Sequence, residues 1–332
     1  MTPKLFKESN NSKAEEIKKN LPVNLNLDFK TISPFIAQVE HNHLLPVLGK
    51  PLFDKLVNYY NSEPQENEYY NTLLDYVQFA SIYIAYWEGF DIISVSLSDV
   101  GAGTKIEGDK RLYRYQEDNI KEALKNHGFN QIDIIIEYLT DHIAKFPDFE
   151  LSEYWSKLTN SLVPDTATFN RYYNINSSRL LFQKMKYFIT QVEEIDICER
   201  IGRNMFDDMI EHRDLPKYKA IERYLQGYVV FKSVAAGIVE MGKIPTERGL
   251  VVKKNTTTGN IAGQIEQPVG TAALEKTAKL YSEKAESYMA SAIHYIKNHK
   301  QDYPLFFAFT GEDVSEDRVI RRDNTNKKTF WA

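Results

Sequence analysis

The sequence is poorest in cysteine: Cys198 is the only one among 332 residues. A single thiol excludes an internal disulfide and any cysteine-based zinc site, and it suits assembly in a reducing cytoplasm. No run approaches the roughly 18 uninterrupted apolar residues that a bilayer span needs. The opening stretch MTPKLFKESNNSKAEEIKKN lacks the apolar core of a secretory signal. Positive charge is not in excess either: 41 Lys and Arg stand against 46 Asp and Glu, a net charge of −5. That weighs against a broad basic face built to grip nucleic acid, but would not hinder a surface past which nucleic acid slides. There is no Ser/His/Asp set at a familiar spacing and no glycine-rich dinucleotide fingerprint. The stretch GAGTK at 101–105 has Thr and Lys in the wrong order for a phosphate loop, so it reads as a turn.

What is present is apolar and aromatic. Hydrophobic residues make up 42% of the chain, with 21 Tyr and 18 Phe. Such rings fill cores and are also favoured at protein–protein contacts. The length suggests two domains.

The chain also repeats itself. PFIAQVE at Pro34 returns as YFITQVE at Tyr187. Phe35, Val39, Gly49 and Phe53 face Phe188, Val192, Gly202 and Phe206, all 153 residues apart. Between the identities, apolar residues face apolar residues: Leu48 and Ile201, Leu52 and Met205, Leu56 and Met209. Tyr76, Val77, Phe79 and Ser81 then face Tyr228, Val229, Phe231 and Ser233, and Ile136, Tyr138, His142 and Pro147 face Ile293, Tyr295, His299 and Pro304. Three blocks in order predict a tandem duplication, with Phe35, Val39, Gly49, Phe53, Phe188, Val192, Gly202 and Phe206 as shared core positions. The period is far too long for a solenoid.

Each unit predicts a mainly α fold: a four-helix bundle with one β-hairpin insertion. In the first, Ser33 caps a helix that begins at Pro34, and Pro46 and Gly49 end or kink it. A second helix carries the stripe Leu52, Phe53, Leu56, Val57 and Tyr60. A third runs over about Tyr69 to Glu88. Ile93, Val95 and Leu97 then alternate with serines at strand spacing. A last helix covers about Gln116 to Lys145, running through Gly128, which faces Ala285 in the second unit. The predicted layout is an N-terminal arm over 1–30, a first unit over 31–150 with a hairpin near 92–107, a linker over 151–180, a second unit over 181–310 with a hairpin over 249–268, and a tail over 311–332. The tail is polar, carries Arg318, Arg321 and Arg322 and ends on Phe330 and Trp331. It suits a segment that orders on a partner.

Two places could hold chemistry. Glu40 and His43 form a Glu-x-x-His pair of the kind that clasps di-iron sites, but the facing residues of the second unit include no His. The bland alternative is a histidine at a helix surface. The acidic run Glu193, Glu194 and Asp196, with Glu199 and then Asp207, Asp208 and Glu211 on the next helix, could hold a divalent ion but reads first as a solvated face or as a partner for a neighbour's arginines. Cys198 faces Leu45 and is most simply a core residue.

The stretch ISPFIAQVEHNHLLPVLGKPLFDKLV resembles the opening of a family found in phages and prophages of Bacteroides-type bacteria. SLSDVGAGTKIEGDKRLYRYQEDNIKEALKNHGFNQIDIIIEYL and TATFNRYYNINSSRLLFQKMKYFITQVEE are similar to later parts of that family. Each half also resembles the small helical head–tail connector proteins of tailed phages. The resemblance implies a non-enzymatic virion protein, assembled in the host cytoplasm without membrane or cofactor. It would form a homo-oligomeric ring, twelvefold by that resemblance, between the portal protein and the next neck or tail-completion protein, with genome DNA passing through. The assembly interface would then include Arg318, Arg321, Arg322, Phe330 and Trp331. Two alternatives stand beside it. One is a metal-binding or catalytic helical bundle resting on Glu40, His43 and the acidic run. The other is a regulatory protein of a mobile element, against which the acidic charge and the missing helix-turn-helix pattern weigh.

Overall fold

Apolar stripes at helical spacing dominate the chain, and the fold is mainly α. The computed structural model describes residues 2–12, 14–21, 28–62, 66–93, 95–98, 101–104, 114–243, 251–258, 261–268 and 270–311. The first half holds α1 (Glu15–Asn20), α2 (Phe29–Val39), α3 (Leu45–Leu48), α4 (Lys50–Asn61), α5 (Glu68–Ile93), β1 (Val95–Ser98), β2 (Gly101–Thr104), α6 (Arg114–Asp141), α7 (Pro147–Glu150) and α8 (Glu153–Thr159). The second holds α9 (Thr166–Tyr172), α10 (Arg179–Gln191), α11 (Cys198–Ile201), α12 (Arg203–Glu211), α13 (Pro216–Lys243), β3 (Val251–Thr258), β4 (Ile261–Pro268), α14 (Thr271–Asn298) and α15 (Pro304–Thr310). No helix of the described residues is long and apolar enough to cross a membrane.

Two separate cores form. One draws its buried residues from Leu5 to Phe149, the other from Leu162 to Phe307. In each, two long antiparallel helices supply the largest contact, α5 with α6 and α13 with α14. Close approach needs a small residue in both. A side chain on Gly128 would come within 2.5 Å of Ile84, and one on Gly227 within 2.5 Å of Tyr288. The α6 helix runs through Gly128. Between the long helices lie the strands. Val95 pairs opposite Thr104 in β1–β2, and Val251 opposite Pro268 in β3–β4, both antiparallel.

The structure differs from the sequence expectations in several places. The first helix does not begin at Pro34. Asp28 caps it, accepting from the Lys30 amide at 3.0 Å. The earlier start buries Phe29 and Ile32. Pro34 therefore lies inside the helix, and the Lys30 carbonyl it cannot bond accepts from the Ser33 hydroxyl at 3.4 Å instead. Ile93 ends α5 rather than opening a strand, and α6 stops at Asp141, before a 3-10 turn at Ile143–Lys145. The segment expected as an arm is packed down: Leu5, Phe6, Ala14 and Ile17 are buried in the first core. The expected linker is divided. Tyr154, Trp155 and Leu158 pack on the first core, whereas Leu162, Val163, Phe169 and Ile175 are buried in the second. Apolar content explains both, since each segment carries enough buried side chains to offset the entropy of ordering it.

Neither first helix continues smoothly. A π-turn at Glu40–Leu44 separates α2 from α3, and one at Val192–Ile197 separates α10 from α11. The cause is visible in the stripe. Buried apolar positions of the stripe run Ile32, Ile36, Val39 and then Leu44, and in the other half Met185, Ile189, Val192 and then Ile197, with only the buried carboxylates of Glu40 and Glu193 one turn before the last of each. A step of five residues is one too many for an α-helix, and a wider turn absorbs it. Proline is not required for it, because the second π-turn has none near it. Each short helix then ends on a glycine, Gly49 at φ 76° and ψ 152° and Gly202 at φ 86° and ψ 140°. Side chains rarely adopt that conformation. Packing adds a second demand: a side chain on Gly49 would meet Ser152 at 2.6 Å, and one on Gly202 would meet Phe309 at 2.7 Å.

Candidate functional site

Each π-turn carries a buried glutamate, and each glutamate holds the segment that enters its unit. Glu40 accepts from the Lys4 amide at 2.7 Å and the Leu5 amide at 3.0 Å, one on each carboxylate oxygen. Glu193 accepts from the Leu162 amide at 2.8 Å, the Val163 amide at 3.3 Å and the Ser161 hydroxyl at 3.0 Å, all on Oε1. Burial pushes both carboxyls upward, Glu193 to about 7, against the opposing pull of those hydrogen bonds. A glutamine completes each clasp: Gln78 donates to the Leu5 carbonyl at 2.8 Å, and Gln226 to the Leu162 carbonyl at 3.0 Å. Arg213 adds two more bonds in the second unit, to the Ser161 and Leu162 carbonyls at 3.0 and 3.2 Å.

This arrangement corrects two expectations. Glu40 and His43 do not converge on one point. Glu40 is committed to backbone amides, while His43 Nε2 meets Glu88 at 2.9 Å. Among the described residues no group of three or more His, Cys, Asp or Glu side chains could hold a metal ion. Glu193 is not part of a solvated acidic face either, because Glu194 and Glu199 of that run are exposed and Asp196 is half-buried, but Glu193 is buried. Cys198 is half-buried against the second core, its thiol 3.4 Å from the Glu193 carbonyl.

Beside Glu193 opens a cavity of about 670 Å³. Its floor is Val163, Ile189, Phe206 and Ile210, and acidic Glu194, Asp207 and Glu211 lie at its rim. Lys186 also lines it. Burial, with Arg179 and Lys157 nearby, lowers the Lys186 ammonium to about 8. That ammonium sits 4.8 Å from the centre of the Tyr154 ring and 5.7 Å from that of Phe182.

The two halves meet at Arg179, the first residue of α10. A cation there opposes the helix dipole, so it serves a tertiary purpose. Arg179 is almost wholly buried, donates to Asp133 of α6 at 2.8 Å and to the Tyr154 hydroxyl at 2.9 Å, and leaves its Nε without a partner. Burial raises the Asp133 carboxyl although Arg179 pulls it down.

Of the shared positions, Val39, Phe53, Phe188, Val192, Gly202 and Phe206 are buried. Phe35 is only half-buried, lying against Gly89, and Gly49 is half-buried. Arg318, Arg321, Arg322, Phe330 and Trp331 lie outside the described residues. The glutamate clasps were missed. The available signal was that Glu40 and Glu193 are identical at matching positions on helices whose other identities are mostly apolar.

A family model described as a family of unknown function (DUF6712) matches residues 44–157 and again residues 197–312, so the chain belongs to that family. No curated protein matches the chain. No solved structure matches it either.

Proposed function

We propose that this chain is a tandem duplication of a helical connector-like unit and acts as a structural subunit of a phage neck. In this reading it forms a ring between portal and tail, binds the portal protein and the next neck component, and lets genome DNA pass without sequence-specific binding. The observation that carries the reading is what the two halves have in common. Their matching residues are structural: a clasped glutamate, a glycine of unusual backbone, a pair of long helices with strands between them. Among the described residues no convergent set of reactive side chains recurs. A ring subunit needs two unlike faces, one to meet each neighbour, and two diverged copies of one unit supply them. The strand pairs support the same reading. An isolated two-stranded hairpin is marginal in water and gains from adding to another chain.

Mass photometry with negative-stain imaging, on the purified chain alone and mixed with its portal, tests this. The expected result is a closed ring of defined mass, alone or formed only on the portal. A monomer indifferent to the portal overturns the reading.

A further inference from the structure

The first unit shows what the cavity of the second accommodates. There the ammonium of Lys4 stands 5.7 Å from the centre of the Phe53 ring. Phe53 matches Phe206, and Phe206 lies in the floor of the 670 Å³ cavity. The residue that enters the second unit at the matching place is Ser161, too short to reach across its own phenyl ring. A cavity of this size is within the usual range for a bound group. Its charges favour a cation. Arg203 is tied to Asp207 at 3.8 Å and to the Glu194 carbonyl at 3.2 Å, and Lys157 to Glu153 at 2.6 Å. Lys186 is turned to its two aromatic rings. The carboxylates of Glu194 and Glu211 remain exposed at the rim.

One segment of the chain fits in chemistry and in place. Past the acidic stretch Glu312, Asp313, Glu316 and Asp317, residues 318–332 carry Arg318, Arg321, Arg322, Lys327 and Lys328 against Asp323 alone, along with Phe330 and Trp331. The segment leaves from Gly311, directly after α15, whose Phe309 packs against Gly202. Gly202 opens α12, and α12 supplies Phe206, Asp207, Ile210 and Glu211 to the cavity. Even Arg318, the seventh residue past Gly311, reaches up to about 23 Å, longer than the ~14 Å of α12.

We infer that the cavity beside Phe206 is the receptor for the basic, aromatic stretch 318–332, taken from the same copy or a neighbouring one. A cationic side chain over Phe206 would reproduce what Lys4 does over Phe53, and Glu194, Asp207 and Glu211 would receive the remaining charge. The inference is independent of the ring reading, since a ring can form with the segment docked or undocked.

Two measurements on the full chain test it. Carbodiimide joins an amine to a carboxylate only when they touch, so cross-links from Lys327 or Lys328 to Glu194, Asp207 or Glu211 are expected. Mixing isotopically light and heavy protein then tells which copy supplies the segment. Trypsin should cut within 318–328 at least about fivefold faster in the Glu194→Gln/Asp207→Asn/Glu211→Gln variant than in the parent, because cleavage follows the undocked population. The variant's thermal midpoint should fall no further than that of the chain truncated after Gly311, since all three side chains are exposed. Equal cleavage rates, or cross-links from those lysines only to other carboxylates, overturn the inference. Particle mass, recorded separately, reports on the ring.

Discussion

In the first half Glu40 divides its two oxygens between two amides; in the second, Glu193 gathers three donors on one oxygen and leaves the other free of them. The supporting residues differ as well. At the position where Tyr60 donates to Glu16 at 2.6 Å, the second half has Arg213, which grips the entering backbone directly. Gln78 and Gln226 bond matching carbonyls from places one helical turn apart in the repeat. The comparison teaches that the need was preserved while its means drifted. A buried amide must find an acceptor, but several side chains can supply one, so the acceptor stayed and its helpers changed.

Four experiments break or sharpen this comparison. The largest effect is expected at the glycines. Gly49→Ala should cost about 3 to 5 kcal/mol, because backbone strain adds to a clash with Ser152, whose Cα is 3.2 Å from the added carbon. Gly202→Ala should cost less, about 1 to 3 kcal/mol, because it meets only the half-exposed side chain of Phe309. Urea denaturation of both variants checks the order, and equal costs would contradict it.

Acidity should separate the halves next. With Glu193 raised from 4.5 to about 7, the folded state holds more protons than the unfolded one between those values. The stability from this group is therefore complete below about 4.5 and is lost as pH climbs to about 7, up to about 3 kcal/mol. Denaturation from pH 5 to 8 should show that fall, and Glu193→Gln should flatten it.

The same substitution distinguishes the clasps at fixed pH. Glu40→Gln turns an amide NH₂ toward one of two backbone amides and should cost about 1 to 3 kcal/mol. Glu193→Gln keeps its single accepting oxygen and should cost under about 1 kcal/mol at pH 7. Thermal melts of the two variants suffice, and a reversed order would show that the oxygens are not used as described.

Truncation after Gly311 should be smallest in stability, within about 0.5 kcal/mol, since residues 312–332 are mostly polar and charged. It should weaken assembly, as sedimentation of truncated and full chains would show. A large loss of stability or unchanged assembly would count against a role in contact.

Much of the fold was legible because helices write their burial pattern locally. The stripes Leu52, Phe53, Leu56 and Met205, Phe206, Met209 announced α4 and α12. The joint at Arg179 was not legible, since Asp133 lies 46 residues away and nothing local marks the pair. Glu40 and Glu193 were visible as identities, yet charge made them look like ligands or a wet surface. A carboxylate reads as buried only when the amides that satisfy it are known, and those lie 30 or more residues earlier.

By itself the sequence determined the mainly helical class, the repetition of its apolar stripes and the glycine stop at Gly49, because periodicity and glycine act through neighbours along the chain. Tertiary structure alone decided which acids are buried, that the entering segments belong to the cores, and that a cavity stands over Phe206 where Lys4 stands over Phe53. Those depend on contacts between residues far apart in the chain, whose free energy no local pattern records.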